Sequence, residues 1–119
     1  MAAYFGHGDI LRMLLNAGAD LNVRDNNLDS ALILAAQQGN AKEVQALLHM
    51  GANINFTNKN GDSALIHAAR NGHATTVLAL LAGNADAKIK NSNEETALIA
   101  AEKRGYAKIV NLLKSVKSR

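Results

Sequence analysis

The chain has 119 residues, a formal net charge of +3, and neither cysteine nor proline. This length suffices for one domain with a sizeable core, and the lack of cysteine excludes disulfides, zinc–thiolate sites and thiol nucleophiles. No apolar run approaches the roughly 20 residues of a membrane span, and residues 1–9 lack the basic start and apolar segment of a secretory signal. We therefore expect cytoplasmic residence, with the nucleus as the alternative and no role at a membrane.

A repeat of 33 residues runs through the chain. This spacing separates Gly6, Gly39, Gly72 and Gly105, and also Ser30, Ser63 and Thr96. Repetition at such a period signals a stacked array, and we place its units at about 1–24, 25–57, 58–90 and 91–119 of a single domain. The last three units each predict a first and a second helix of a few turns, whereas the first unit predicts only a second helix. The predicted helices lie near 9–16, 30–37, 41–49, 63–70, 74–82, 96–103 and 107–116.

The first unit is incomplete, since residues 2–5 match only the end of a first helix. This start indicates either a segment of a longer array or an unusual amino-terminal cap. We favour the segment, because Tyr4 and Phe5 are too apolar for a solvated end. An uncovered end either frays or meets a second copy in a weak two-fold contact. We expect a monomer whose first unit frays.

The second and third units are nearly regular. Ser63 is predicted to cap its helix with its hydroxyl, and Gly72 to end that helix in the left-handed conformation. Asn40 is expected to cap a second helix through its side chain. The stripe predicted to face the first helix of the third unit consists of Val77, Leu78, Leu80 and Leu81. Helices of about nine residues are unstable alone, so each unit must pack on the next.

Two positions in the later units depart from glycine. Asn84 stands where the earlier units have Gly18 and Gly51, and asparagine is the next best residue for the left-handed conformation that ends a helix. Glu94 stands at a loop glycine. Glu102 replaces a packing alanine, so we expect a solvated carboxyl-terminal end.

The stretch ALIHAARNGH at 64–73, followed by VLALLAGNAD at 77–86, resembles the ankyrin repeat, whose consensus is close to D-x-x-G-x-T-P-L-H-x-A-A-x-x-G-H and then x-x-x-V-x-x-L-L-x-x-G-A-D. The resemblance covers essentially the whole chain, as three near-complete copies and one partial copy. It implies an all-α, ankyrin-type solenoid of stacked helix–turn–helix units with β-hairpin loops. Ile33, Ile66 and Ile99 replace the histidine of T-P-L-H, so we expect a more apolar junction between units.

The histidines are the only conventional catalytic candidates. His7 and His73 occupy the glycine–histidine position of the resemblance, His67 lies on a buried helix, and His49 lies near a helix end. Structural roles explain all four. No H-E-x-x-H, G-x-S-x-G or G-x-x-x-x-G-K motif occurs, and no ligands have metal-site spacing. We predict a chain that is not an enzyme and has no cofactor or metal.

The resemblance implies a concave face, lined by the hairpin loops and the ends of the first helices, that binds a partner protein. The positions selected by register, which we call the concave strip, are Tyr4, Phe5, Val23, Asn26, Asn27, Gln37, Gln38, Phe56, Lys59, Asn60, Arg70, Asn71, Ile89, Ser92, Asn93, Lys103 and Arg104. Asp29, Asp62 and Glu95 lie on the same loops and are also expected at the surface.

Two features of the concave strip suggest what it binds. Val23, Phe56 and Ile89 share one register and predict an exposed apolar line, although packing of one loop on the next explains them nearly as well. Arg70, Lys103 and Arg104 predict attraction for an acidic segment.

The charge is uneven, with a net charge of −1 in residues 1–60 and +4 in residues 61–119. Nucleic acid is disfavoured as a partner, because no aromatic residues interleave with the basic ones for base stacking. Three hypotheses remain: a protein-interaction module, which we favour; an enzyme, which lacks a nucleophile, base or metal set; and a structural spacer within a longer array, which binds nothing itself.

Overall fold

The computed structural model describes residues 30–116, so the predicted helix near 9–16 and the other features predicted for residues 1–29 and 117–119 lie outside it. Six helices form three consecutive pairs: α1 (Ala31–Gln38), α2 (Ala41–His49), α3 (Ala64–Arg70), α4 (Ala74–Ala82), α5 (Ala97–Arg104) and α6 (Ala107–Lys114). Every helix predicted within 30–116 is present, with ends shifted by at most two residues. The all-α prediction is confirmed, since residues 30–116 contain no extended strand and only isolated bridge residues, such as Thr57, which pairs with Ser63.

The first helix of each pair begins at a side-chain cap. The hydroxyl oxygens of Ser30, Ser63 and Thr96 each accept a hydrogen bond from the backbone N–H three residues later, at 3.2–3.3 Å. This bond satisfies one of the helical N–H groups that have no partner within the helix. The caps confirm the prediction for Ser63 and extend it to the matching positions.

The second helices begin differently, and the predicted side-chain cap at Asn40 is wrong. Asn40 is the N-cap residue of α2, but its side chain forms no capping hydrogen bond. Its ψ angle is 80°, whereas that of Ser30 is 169°, so the peptide that follows Asn40 is turned away from the geometry of a side-chain cap. The backbone oxygen of Asn40 instead accepts from Val44 N at 3.0 Å.

The core lies between the two layers of helices. α3 contacts both α1 and α5, and α4 contacts both α2 and α6. The largest fully buried apolar side chains are Leu32, Ile33, Leu47, Leu65, Ile66, Leu80 and Ile109. Ile33 and Ile66 are buried, as expected for a more apolar junction where the consensus of the resemblance has histidine, whereas Ile99, on the last described first helix, is only half-buried.

The prediction that Leu78 belongs to the buried apolar stripe of α4 is wrong. Its side chain is 54% exposed, whereas Val77 and Leu80 are fully buried. The residues at the same register in α2 and α6 are Gln45 and Asn111, which are polar and exposed. The position faces solvent in all three second helices, so a leucine there does not reach the core.

Contacts at the ends of the first helices explain why glycine stands at this position and why an aromatic residue follows it in the next unit. Gly39 and Gly72 are left-handed, with φ of 75° and 77°. A Cβ on Gly39 would lie 2.6 Å from the His73 ring, and a Cβ on Gly72 would lie 3.0 Å from the Tyr106 ring. The glycines thus let an aromatic ring from the next unit lie against the end of each helix. His73 Nε2 also lies 3.1 Å from the carbonyl oxygen of Gln37 and donates to it, because a carbonyl oxygen only accepts.

Two other residues adopt positive φ without being glycine. Asn84 has a φ of 68°, which confirms its predicted place at the helix stop, and Glu94 has a φ of 65° at the loop-glycine register. A side chain with Cβ is strained in this region, more so for glutamate than for asparagine.

Candidate partner-binding surface

Asn58 and Asn91 organise the two loops that carry most of the described concave strip. Asn58 Oδ1 accepts from the backbone N–H groups of Asn60 and Asp62, at 2.9 and 3.1 Å. In the next unit, Asn91 Oδ1 accepts from the N–H groups two and four residues later, at 2.9 and 3.0 Å. Each asparagine therefore satisfies two turn N–H groups that would otherwise need water.

The sequence analysis did not single out these two asparagines. The signal was present, since Asn58 and Asn91 lie 33 residues apart, and asparagine favours turns through bonds to nearby backbone. The structure shows that the turn depends on a side chain two residues before Asn60.

Hydrogen bonds also join one loop to the next. Ser92 N donates to the carbonyl oxygen of Asn60 at 2.8 Å, and Asn91 Nδ2 donates to Asp62 Oδ1 at 2.9 Å. The loops are therefore held in a set position relative to each other. A surface held in this way loses little conformational entropy when it binds.

The loop carboxylates of Asp62 and Glu95 form ion pairs within the chain. The prediction that Asp62 lies at the surface is wrong. Asp62 is 3% exposed, and Asp62 Oδ1 lies 2.6 Å from Arg70 Nη2. A buried charge needs a partner, and Asp62 has both Arg70 and the Asn91 amide. Glu95 repeats the arrangement one unit later, with Oε2 2.6 Å from Lys103 Nζ. The hydrogen bonds from Lys103 and Asn91 hold the pKa of Glu95 below its usual range.

Phe56 and Ile89 are half-buried and pack against the hydrophobic core. Packing against the core therefore explains at least part of the apolar character of these two positions, in line with the alternative that these side chains serve packing and not partner binding. Each still leaves some apolar surface next to the loop tips. Their contribution to binding stays a prediction.

The exposed members of the concave strip are polar or basic. In the described chain they are Gln37, Gln38, Lys59, Asn60, Asn71, Ser92, Asn93, Lys103 and Arg104. The other members, Tyr4, Phe5, Val23, Asn26 and Asn27, lie outside the described residues. The structure thus presents a row of amides that becomes basic toward α5.

Only part of the basic charge predicted for the concave strip is free of an internal partner. Arg70 and Lys103 pair with the carboxylates of Asp62 and Glu95, which reduces the field that each cation exerts on a ligand. Within residues 30–116, Arg104 and Lys59 form no salt bridge. The predicted attraction for an acidic segment therefore rests on Arg104 and Lys59 more than on Arg70 and Lys103, and it stays a prediction.

Within residues 30–116, no three or more histidine and carboxylate side chains come together as possible metal ligands. His67 is 8% exposed and its Nε2 lies 3.2 Å from Asn58 Nδ2, which gives this histidine a structural role in the loop. No helix in this part of the chain has the length and apolar character to cross a membrane.

Comparison with known proteins agrees with this architecture. A search of curated proteins gives no match to the chain. The family model described as ankyrin repeats (3 copies) matches residues 1–91 and, in a second overlapping match, residues 32–118. These matches cover almost all of the sequence, and within residues 30–116 the helix pairs, their stacking order and the contacts of Gly39 and Gly72 with an aromatic ring of the next unit repeat at the same period. The chain belongs to the ankyrin repeat family, whose members are generally protein–protein interaction modules and typically not enzymes.

Proposed function

We propose that the chain is a non-catalytic interaction module that binds an extended segment of a partner protein along the concave strip. The observation that carries the proposal is the set of exposed amide and basic side chains on loops joined by backbone and side-chain hydrogen bonds. Ser92 N and the Asn91 amide both bond to the preceding loop. A surface organised before binding is suited to recognition, because ordering it costs little on association.

The distribution of charge along the concave strip suggests how the partner segment is oriented on it. The exposed ends of the first helices read Gln38, Asn71 and Arg104 at one register. Positive charge therefore rises toward α5, and an acidic part of the partner is best placed near Arg104. Charges at the rim of an interface mainly affect the association rate and its salt dependence, so we expect binding to weaken as salt is added.

The alternative is a spacer within a longer ankyrin array that binds nothing itself. The internal pairing of Arg70 and Lys103 favours this alternative, since paired cations attract a ligand less. The exposed guanidinium of Arg104, which forms no salt bridge within residues 30–116, and the exposed amides favour binding. We further propose that the chain acts in the cytoplasm, where a cysteine-free protein loses no disulfide stability.

The proposal is tested by differential capture from a lysate of the source cells. The strip variant is Gln38→Glu with Arg104→Glu, and the control is Gln45→Glu with Lys108→Glu, whose positions are exposed on α2 and α6. Both variants change the net charge by the same amount, so non-specific electrostatic capture falls equally. We expect a protein that the wild-type chain and the control retain and the strip variant loses. Equal capture by both variants would refute the concave strip as the site.

A further inference from the structure

His67 connects α3 to the loop that carries Lys59 and Asn60, two exposed members of the concave strip. The side chain of this histidine is largely buried, since the residue is 8% exposed. Its Nε2 lies 3.2 Å from Nδ2 of Asn58, the residue that organises the loop. The protonation state of the ring therefore depends on which of these two nitrogen atoms donates the hydrogen bond.

Two backbone hydrogen bonds fix the orientation of the Asn58 amide. Its Oδ1 accepts from the N–H groups of Asn60 and Asp62, at 2.9 and 3.1 Å. A rotated amide would place its own N–H groups against these two donors, so the network assigns Nδ2 to the side that faces the ring. An amide nitrogen only donates, and Nε2 of His67 must therefore accept. The ring is thus neutral and carries its proton on Nδ1.

Protonation of His67 is incompatible with this hydrogen bond. A charged imidazole has an N–H group on both nitrogen atoms, so Nε2 and the Asn58 amide nitrogen would both be donors. The bond is lost, and a charge is placed on a side chain that is largely shielded from water, which disfavours the charged form. If Asn58 turns away to avoid the new proton, its two bonds to the loop backbone are lost as well.

The corresponding loop of the fourth unit does not depend on a histidine. Leu34 and Ala100 stand one repeat before and one repeat after His67. In the fourth unit, Asn91 Nδ2 donates to Asp62 Oδ1 at 2.9 Å and to Glu95 Oε1 at 3.3 Å. A carboxyl group keeps an acceptor oxygen in either protonation state. The fourth-unit loop is therefore an internal reference for the loop at 58–62.

The other described histidines lack this sensitivity. His73 Nε2 donates to the carbonyl oxygen of Gln37 at 3.1 Å, and a ring that already donates takes up a second proton without losing that bond. His49 is exposed at the end of α2, so a charge on its ring remains in water. Within residues 30–116, His67 is thus the histidine whose contact requires the neutral ring.

The elements that pack against α3 carry few charged groups. α1 and α4 contain no titratable side chain. Those on α3 itself, on the two loops and on α5 are Lys59, Asp62, Arg70, Glu94, Glu95, Glu102, Lys103 and Arg104. The carboxylates of Asp62 and Glu95 each lie 2.6 Å from a cation, which reduces the field that either exerts on the ring. Asp25 and Asp29, one repeat before Asn58 and Asp62, lie outside the described residues.

We propose that His67 is a pH switch for the loop at 58–62: the neutral ring holds the loop through Asn58, and a proton on Nε2 releases it. The folded chain favours the neutral ring, whereas a histidine in the unfolded chain takes up this proton at about pH 6.5. The contribution of His67 to stability is therefore fully present above about pH 6.5 and is lost as the pH falls below it. Release of the loop also disturbs Lys59 and Asn60, and only this effect on binding rests on the proposed function.

The test compares urea unfolding of the full wild-type chain and of His67→Gln at about pH 7.5 and 5.5, on either side of the histidine range. The glutamine offers an amide oxygen to Asn58 but does not titrate. If His67 takes up its proton only on unfolding, the folding equilibrium constant should fall about tenfold more for the wild type than for the variant between these two pH values. The remaining histidines titrate in both chains, so this difference isolates His67. An equal pH dependence of the two chains overturns the proposal.

Asn58→Asp should reverse the sign of the effect. The second unit has Asp25 at this register, and a carboxylate keeps the acceptor for the loop backbone while it replaces the amide donor with a second acceptor. A protonated His67 then gains a partner, so its contribution to stability is present below about pH 6.5 and is lost as the pH rises. A variant whose pH dependence matches that of the wild type contradicts the proposed switch.

NMR of the wild-type chain tests the switch without any substitution, and so serves if either variant fails to fold. Nε2 of His67 should carry no proton at about pH 7.5. At about pH 5.5 the backbone amide signals of Asn60 and Asp62 should shift or broaden, whereas those of Asn93 and Glu95, which donate to Asn91 Oδ1 in the reference loop, should change much less. A proton on Nε2 at neutral pH, or equal changes in the two loops, overturns the proposal.

Discussion

Replacing Asn91 with alanine tests whether the loop asparagines hold the binding loops in place. The wild-type side chain accepts from two turn N–H groups and donates to Asp62 Oδ1 at 2.9 Å. A net contribution of about 1 kcal/mol from each of the two backbone bonds, and of about 1.5–3 kcal/mol from the bond to a charged group, would sum to about 3.5–5 kcal/mol. The expected loss is smaller than this sum, because the three bonds are not independent. We expect a loss of about 2–4 kcal/mol in the free energy of unfolding.

The assay is urea unfolding followed by circular dichroism, with Asn93→Ala as the matched control. Asn93 lies two residues further along and is exposed, so its loss should change the free energy of unfolding by no more than about 0.5 kcal/mol. The midpoint should fall for Asn91→Ala with little change in the slope of the transition. A loss below about 1 kcal/mol for Asn91→Ala would mean that water replaces the side chain and that the loops are not fixed by it.

Other changes test the core, the backbone and the charges. Leu80→Ala should lower the free energy of unfolding by about 2–5 kcal/mol, because the side chain is fully buried, whereas Leu78→Ala should cost less than about 1 kcal/mol; similar costs would contradict the assigned burial. Glu94→Gly should stabilise the chain by up to about 1 kcal/mol in the same assay, since its φ is 65°; a loss would mean that φ strain is not its main effect. The pKa of the Glu95 carboxyl, measured by NMR, should lie below the usual range of a glutamate, because Lys103 and Asn91 donate hydrogen bonds to its charged form. A pKa held low in the folded state gives stability that is present above the unfolded value and lost as pH falls through the folded value; Lys103→Gln should move the titration upward, and no movement would place the cause elsewhere.

The fold could be predicted closely from the sequence because its signals are local and repeated. A hydroxyl cap, a left-handed glycine and an apolar helix recur in register, so each unit supports the interpretation of the others. The 54% exposure of Leu78 shows the limit of judging residues by type alone. Comparing its register with Gln45 and Asn111 would have placed it at the surface.

The candidate site was less predictable because its decisive contacts join different units. Burial of Asp62 depends on an arginine eight residues away and on Asn91 from the next loop. No pattern within one unit indicates that both side chains converge on the same carboxylate.

The most direct test of the proposed function is the affinity of the captured partner protein for three purified chains, measured by calorimetry at low and at physiological salt. These are the wild type, Gln38→Glu with Arg104→Glu, and the charge-matched control Gln45→Glu with Lys108→Glu. If the concave strip is the binding surface, the strip variant binds at least tenfold more weakly at low salt, and the control binds as the wild type does. Equal affinities for all three chains, each folded by circular dichroism, would contradict binding through this surface.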